Sequence, residues 1–126
     1  MQSITELTPD MLVRLTQPDY DNELALSALV LQDGSRSQIG VARYAIDPDQ
    51  ESCEFALVVS DQWRHQGIGS RLMKQLLEAA RHRGLKRMRA EVLVGNQQML
   101  ALTRELGFSQ RPSPEDPGVR IVERKL

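Results

Sequence analysis

Leu57-Val58-Val59-Ser60-Asp61-Gln62-Trp63-Arg64-His65-Gln66-Gly67-Ile68-Gly69-Ser70 is the stretch on which the reading of this chain turns. An apolar run with β-branched residues leads into a polar loop. Two glycines then open a segment in which Ile68, Leu72, Leu76 and Ala80 recur every four residues, with Met73 and Leu77 beside them. Strand, loop and amphipathic helix follow from that pattern, with Arg71, Lys74, Glu78 and Arg81 on the wet side. Glycine at such a junction permits φ > 0 and a close approach of ligand to backbone. The N–H groups of the loop and of the positive helix end then converge into an anion site, beside which Arg64 adds a fixed charge. Glycines kept for tight packing alone would read the same way. The loop is neither a P-loop, lacking Gly-Lys-Ser/Thr after four spacers, nor the three-glycine dinucleotide fingerprint.

Working outward, residues 54–59 form a near-continuous apolar run, which predicts a central strand buried on both faces. Residues 24–31 and 39–46 flank Asp33-Gly34 and predict a hairpin, after which Asp47-Pro48-Asp49 turns the chain. Ahead of them Thr8-Pro9-Asp10 has the order of an N-cap, a first helical proline and an acidic first turn. A short helix ending at residues 16–18 is expected there. Downstream, Gly84 stands where a left-handed helix cap belongs. Met88, Ala90, Val92 and Val94 alternate with Arg87, Arg89 and Glu91 as in a half-buried strand. Asn96 then leads into a helix over residues 97–106, closed by Gly107. A Pro-rich loop at residues 111–118 precedes a last strand at 119–122. The order helix, hairpin, strand, helix, strand, helix, strand predicts an α/β fold with a mixed central sheet flanked by helices.

The chain's 126 residues suffice for one domain. Sixteen Lys and Arg against seventeen Asp and Glu give a net charge of −1, which argues against a nucleic-acid partner. No apolar run approaches the roughly 20 residues of a membrane span, and the first residues carry no basic-then-apolar signal. With Cys53 as the single cysteine, a reducing, cytoplasmic setting is expected. His65, His82 and Cys53 have no metal-ligand spacing, so no metal is expected. Aromatics are 4% of the chain, which predicts an aliphatic core.

Arg64-x-x-Gly67-x-Gly69 directly after Leu57-Val58-Val59 resembles the Q/R-x-x-G-x-G/A acetyl-CoA signature of the GNAT N-acetyltransferases. Asn96 after a strand, with Gly107-Phe108 eleven and twelve residues on, is similar to the family's second cofactor segment. Residues 7–126 look like the C-terminal GNAT domain of bacterial Pat-type protein lysine acetyltransferases. Leu15-Thr16-Gln17-Pro18-Asp19-Tyr20-Asp21, Ala45-Ile46-Asp47-Pro48-Asp49 and Glu54-Phe55-Ala56 carry that closer resemblance. GNAT domains usually begin with a strand before the first helix. Here the chain opens almost at a helix cap, so residues 1–126 are expected to be a single GNAT domain that lacks the first strand or is excised from a larger protein.

The resemblance implies transfer of acetyl from acetyl-CoA to an amine. In such enzymes the pyrophosphate lies on the backbone of the glycine loop, here Arg64, His65, Gln66, Gly67, Ile68, Gly69 and Ser70. The pantetheine pairs with the preceding strand, here Leu57, Val58 and Val59, and Asn96 is a further side-chain contact or merely an N-cap. His65 is expected to use its backbone rather than its ring. An amine with an unperturbed pKa near ~10.4 needs a base before it attacks. Glu54 is the choice: it opens an apolar strand, where a carboxylate is costly unless it faces a cleft, and that strand carries the catalytic glutamate in many GNAT lysine acetyltransferases. The alternative is a solvent-facing or salt-bridged strand end. Glu91 is the weaker candidate, sharing its face with Arg87 and Arg89.

Thr103 occupies the place where the family often has a tyrosine that protonates the leaving thiolate, so solvent is left for that role. Cys53 could carry the acetyl group covalently but has no histidine in its local sequence. Trp63 is expected to pack the loop, His82 to lie on the surface, and Tyr44 either to line the acceptor groove or to fill the hairpin face. The Pat resemblance implies protein lysines as acceptors, with acyl-CoA synthetases as the substrate proteins. A small-molecule or N-terminal amine acetyltransferase, and a catalytically weak acyl-CoA-binding regulatory domain, are the alternatives.

Overall fold

The computed structural model describes residues 11–16 and 22–126. Their seven strands form one mixed sheet in the order β1-β2-β3-β4-β5-β7-β6. The strands are β1 (Met11–Thr16), β2 (Glu23–Gln32), β3 (Ser35–Ile46), β4 (Ser52–Val59), β5 (Arg87–Leu93), β6 (Ser109–Pro112) and β7 (Val119–Lys125). Two helices, α1 (Ile68–Arg83) and α2 (Gln97–Glu105), join β4 to β5 and β5 to β6. The β4–β5 pair is parallel and every other pair is antiparallel.

The hairpin forms where Asp33-Gly34 predicts it. Both residues take positive φ, 50° and 78°, the turn that matches strand twist. A bulge interrupts the ladder further up: Ala28 faces Gly40 and Leu29 faces Gln38, so Ile39 is the extra residue on β3. Asp49 then fixes the turn into β4, its Oδ1 accepting from the N–H groups of Glu51 (2.8 Å) and Ser52 (2.9 Å). Those bonds hold its carboxyl below the usual carboxylate range.

The core lies between one face of the sheet and the helices. Leu24, Leu26, Ala42, Tyr44, Phe55 and Met88 from the strands meet Leu72, Met73, Leu76 and Ala80 of α1. It is aliphatic apart from Tyr44, Phe55 and Phe108, the two phenyl rings meeting edge to face at 5.4 Å. α1 approaches β3 closely because residue 40 is glycine: a Cβ there would lie 3.0 Å from Leu72 Cδ1 and 3.3 Å from the Val58 carbonyl. Gly84, at φ 91°, closes α1 as its position predicts.

Three expectations are corrected. Residues 11–16, expected within a short first helix, form β1, each paired with a residue of β2 from Val30 back to Ala25. Pairing along an open sheet edge outweighs the cap signal of Thr8-Pro9-Asp10, and the rest of that expected helix lies outside the described residues. β4 is not buried on both faces. Its residues alternate, with Glu54, Ala56 and Val58 exposed and Phe55 buried, because the described helices all cover the other face. The stretch after Phe108 contains β6, an edge strand too short and polar to show alternation, with Pro112 tolerated at its end.

Candidate active site

β4 and β5 run side by side only over three register pairs, Ser52–Arg87, Cys53–Met88 and Glu54–Arg89. Beyond them the strands part, β4 staying on β3 as far as Val59 and β5 on β7 as far as Leu93. The facing edges of residues 55–59 and 90–93 are therefore unpaired with each other, and a slot opens between them. Val58 on β4 (68% exposed) and Leu93 on β5 (67%) lie on the two parted segments. Single exposed apolar residues need no explanation, but parted strand edges that carry them suit an extended, partly apolar ligand.

The glycine loop stands at the open end. A short 3-10 turn, Asp61–Trp63, carries the chain from β4 to Arg64, with Trp63 packed on the core as expected. His65 (φ 62°) and Gly67 (φ 81°) are both left-handed. At Gly67 a Cβ would meet nothing within 4 Å, so glycine is required there by the backbone angle and not by space. At Gly69 a Cβ would lie 3.4 Å from Leu57 and 3.5 Å from Leu102, so this glycine sits where the strand and both helices converge. Helix α1 has no side-chain cap, and the first helical N–H with a backbone partner is Arg71's, to Gly67 O at 3.1 Å. The N–H groups of Ile68, Gly69 and Ser70 thus find no acceptor among the described residues. Three open donors at a positive helix end, with Arg64 adjacent, suit a phosphate.

Each sequence-derived site residue can now be placed. Ile68 is 1% exposed, so it offers a ligand its backbone only. Arg64 is exposed and pairs with Asp61 at 3.1 Å, a surface pair worth under ~1 kcal/mol that a ligand can displace. The His65 ring lies 2.7 Å from the Gln98 side chain, linking the loop to the first turn of α2. Gln66 is half-buried, and its Oε1 is a buried acceptor with no partner among the described residues. Asn96 caps α2, accepting from Met99 N–H at 3.2 Å, so its carbonyl oxygen is committed while its NH₂ has no acceptor among the described residues.

Glu54 sits at the root of the slot, on the last register pair before the strands separate. Its side chain is 55% exposed and lies 3.7 Å from Arg89, so the salt-bridge alternative describes one of its contacts. Arg89, which sequence reading placed among solvated charges with Glu91, was the missed partner. It also reaches Asp47, at 3.0 Å. Nothing local signals this, since Asp47 and Arg89 are 42 residues apart. Glu91 is exposed on the same face.

Two other candidates are withdrawn from the chemistry by burial. Cys53 is 0% exposed, and burial, with Asp47 nearby, pushes its thiol up to about 12. A thiol held neutral is no nucleophile, so a covalent route through Cys53 is disfavoured. Thr103 is 0% exposed, its hydroxyl donating to the carbonyls of Met99 (3.0 Å) and Leu100 (3.1 Å). Tyr44 fills the core rather than a groove, and His82 is exposed.

Residues 3–108 match the family model described as Acetyltransferase (GNAT) family. An acetyltransferase of Pseudomonas aeruginosa is 33% identical over 121 residues, 96% of this chain and 64% of the relative. The L-methionine sulfoximine/L-methionine sulfone acetyltransferase of Pseudomonas paraeruginosa is 33% identical over 84 residues, 64% of this chain and 49% of the relative. The chain thus spans less than two thirds of the length of these curated relatives. Among solved structures, the GNAT domain of Streptomyces lividans PAT superposes with a TM-score of 0.75 at 30% identity, over 88% of this chain and 65% of that one.

Proposed function

Because the chain belongs to the GNAT acetyltransferase family, we propose that it transfers acetyl from acetyl-CoA to the ε-amine of a protein lysine, with Glu54 as general base. The observation that carries this reading is the slot: a glycine loop with three open N–H groups among the described residues at one end, parted strand edges along it, and a carboxylate at its root. Acetyl-CoA, when bound, supplies an activated thioester carbonyl. The open N–H groups of Ile68, Gly69 and Ser70, with Arg64, would hold its phosphates. The edge of Leu57, Val58 and Val59 that faces β5 would hold the pantetheine as an added strand, and the Asn96 NH₂ would donate to it.

Glu54 takes the ammonium proton, directly or through a water, since more than half of its side chain is open to solvent. Acid assistance to the leaving thiolate comes from solvent in this reading, because the Thr103 hydroxyl is buried and committed to two carbonyls. The lysine acceptor follows from the Pat-type resemblance of residues 7–126, and acyl-CoA synthetases are the protein substrates that resemblance implies. A small α-amino acid is the second reading, favoured by the likeness to the methionine sulfoximine enzyme.

A substrate panel separates the two. The chain is incubated with radiolabelled acetyl-CoA and, in parallel, a folded acyl-CoA synthetase, free lysine and methionine sulfone. Label on a lysine of the folded protein, with at least tenfold lower rates on both amino acids, is the expected result. Preference for either free amino acid overturns the protein-lysine reading.

A further inference from the structure

Arg89 divides its two terminal nitrogens between two carboxylates. Nη2 lies 3.0 Å from Asp47 Oδ2, a charge-assisted hydrogen bond, whereas Nη1 lies 3.7 Å from Glu54 Oε2, an ion-pair contact too long to be one. The three side chains are unequally solvated: Asp47 is 22% exposed, Arg89 36% and Glu54 55%. The guanidinium is thus anchored in the drier pair and leans on the wetter one. The base keeps its proton-accepting lone pairs while a cation steers it to the root of the slot.

Other charges flank this arrangement. Arg43 of β3 stands opposite Ala56, two residues along β4 from Glu54, and Arg87 of β5 stands opposite Ser52, two residues the other way. Glu91 lies two residues along β5 from Arg89, and Glu123 of β7, in register with Arg89, is held by Arg111 at 3.0 Å.

We propose that Arg89 is the positioning residue for Glu54, and that Asp47, by holding Arg89, sets how far its charge reaches that carboxylate. The proposal rests on the reading of Glu54 as the base. Acting through Glu54, Arg89 matters only while that carboxylate is present, and Asp47 matters by keeping the guanidinium in place.

The test uses the whole chain with acetyl-CoA and Nα-acetyl-lysine methylamide. Arg89→Gln is expected to lower kcat by roughly tenfold with KM for acetyl-CoA unchanged. Arg89→Lys is expected to restore part of that loss, and Asp47→Asn to lower kcat by a smaller factor. In a chain that already carries Glu54→Gln, adding Arg89→Gln is expected to cause no further loss, because nothing is left for it to position.

A kcat in Arg89→Gln equal to the parent's, or a further loss when Arg89→Gln is added to Glu54→Gln, overturns the proposal. If Glu54→Gln alone retains full activity, the base reading is what fails. Asp47→Asn and Arg89→Lys change little volume, so the test survives an Arg89→Gln chain that does not fold.

Discussion

Gly67 shows how one residue joins fold to site. Its φ of 81° is the turn by which the chain enters α1 with the first N–H groups uncapped, and no side chain crowds the position. A β-branched residue in that conformation costs ~1–2 kcal/mol or more, and the loop relieves it by moving those donors apart. Gly67→Val is therefore expected to weaken acetyl-CoA binding by roughly tenfold or more, with a smaller loss of folding stability. Calorimetric titration with acetyl-CoA beside urea unfolding checks this, and unchanged affinity would remove the loop from the cofactor site. The need for glycine here was legible in the sequence, because the spacing of two glycines after an apolar strand has few physical explanations. The Arg89 contact was not, since alternation marks a face as exposed without saying which charges meet across neighbouring strands.

At the scale of elements, long periodic segments were readable and short or edge segments were not. α1, α2 and β5 follow from periodicity that burial enforces, and Asp33-Gly34 sets the hairpin through its turn geometry. β1 and β6 depend on pairing with β2 and β7, information that lies far away in the chain. The apolar character of β4 was read correctly and assigned the wrong cause: Ala56 and Val58 face the open side beside the slot instead of a second core.

The inner face of the same β3–β4 pair has a consequence for stability. Burial raises the Cys53 thiol to about 12 and also raises the Tyr44 hydroxyl, the latter with Cys53 adding and Arg83 opposing. The unfolded thiol ionises near its ordinary value of 9.0, so the unfolded chain sheds protons first. This contribution is whole below pH 9.0 and declines as pH rises toward about 12, by at most ~1.4 kcal/mol per pH unit for each group. Urea unfolding at pH 8 and 11 is expected to show the loss, with a shallower fall in Tyr44→Phe. Equal stability at both pH values would contradict the burial of these two groups.

For the molecule as a whole, function depends on what the sheet does not complete. One face is packed on α1 and α2, and on the other the parting of β4 from β5 leaves strand edges for a ligand and a carboxylate where they meet. The near-zero net charge suits the proposed site, which would hold an anion with local N–H groups and Arg64 rather than with a basic surface. The proposed role of Glu54 as the base at that junction is tested most directly by Glu54→Gln, assayed for acetylation of Nα-acetyl-lysine methylamide alongside calorimetric titration with acetyl-CoA. Turnover is expected to fall by roughly 10²-fold or more with acetyl-CoA affinity unchanged. Turnover equal to the parent's, with affinity unchanged, would contradict that role.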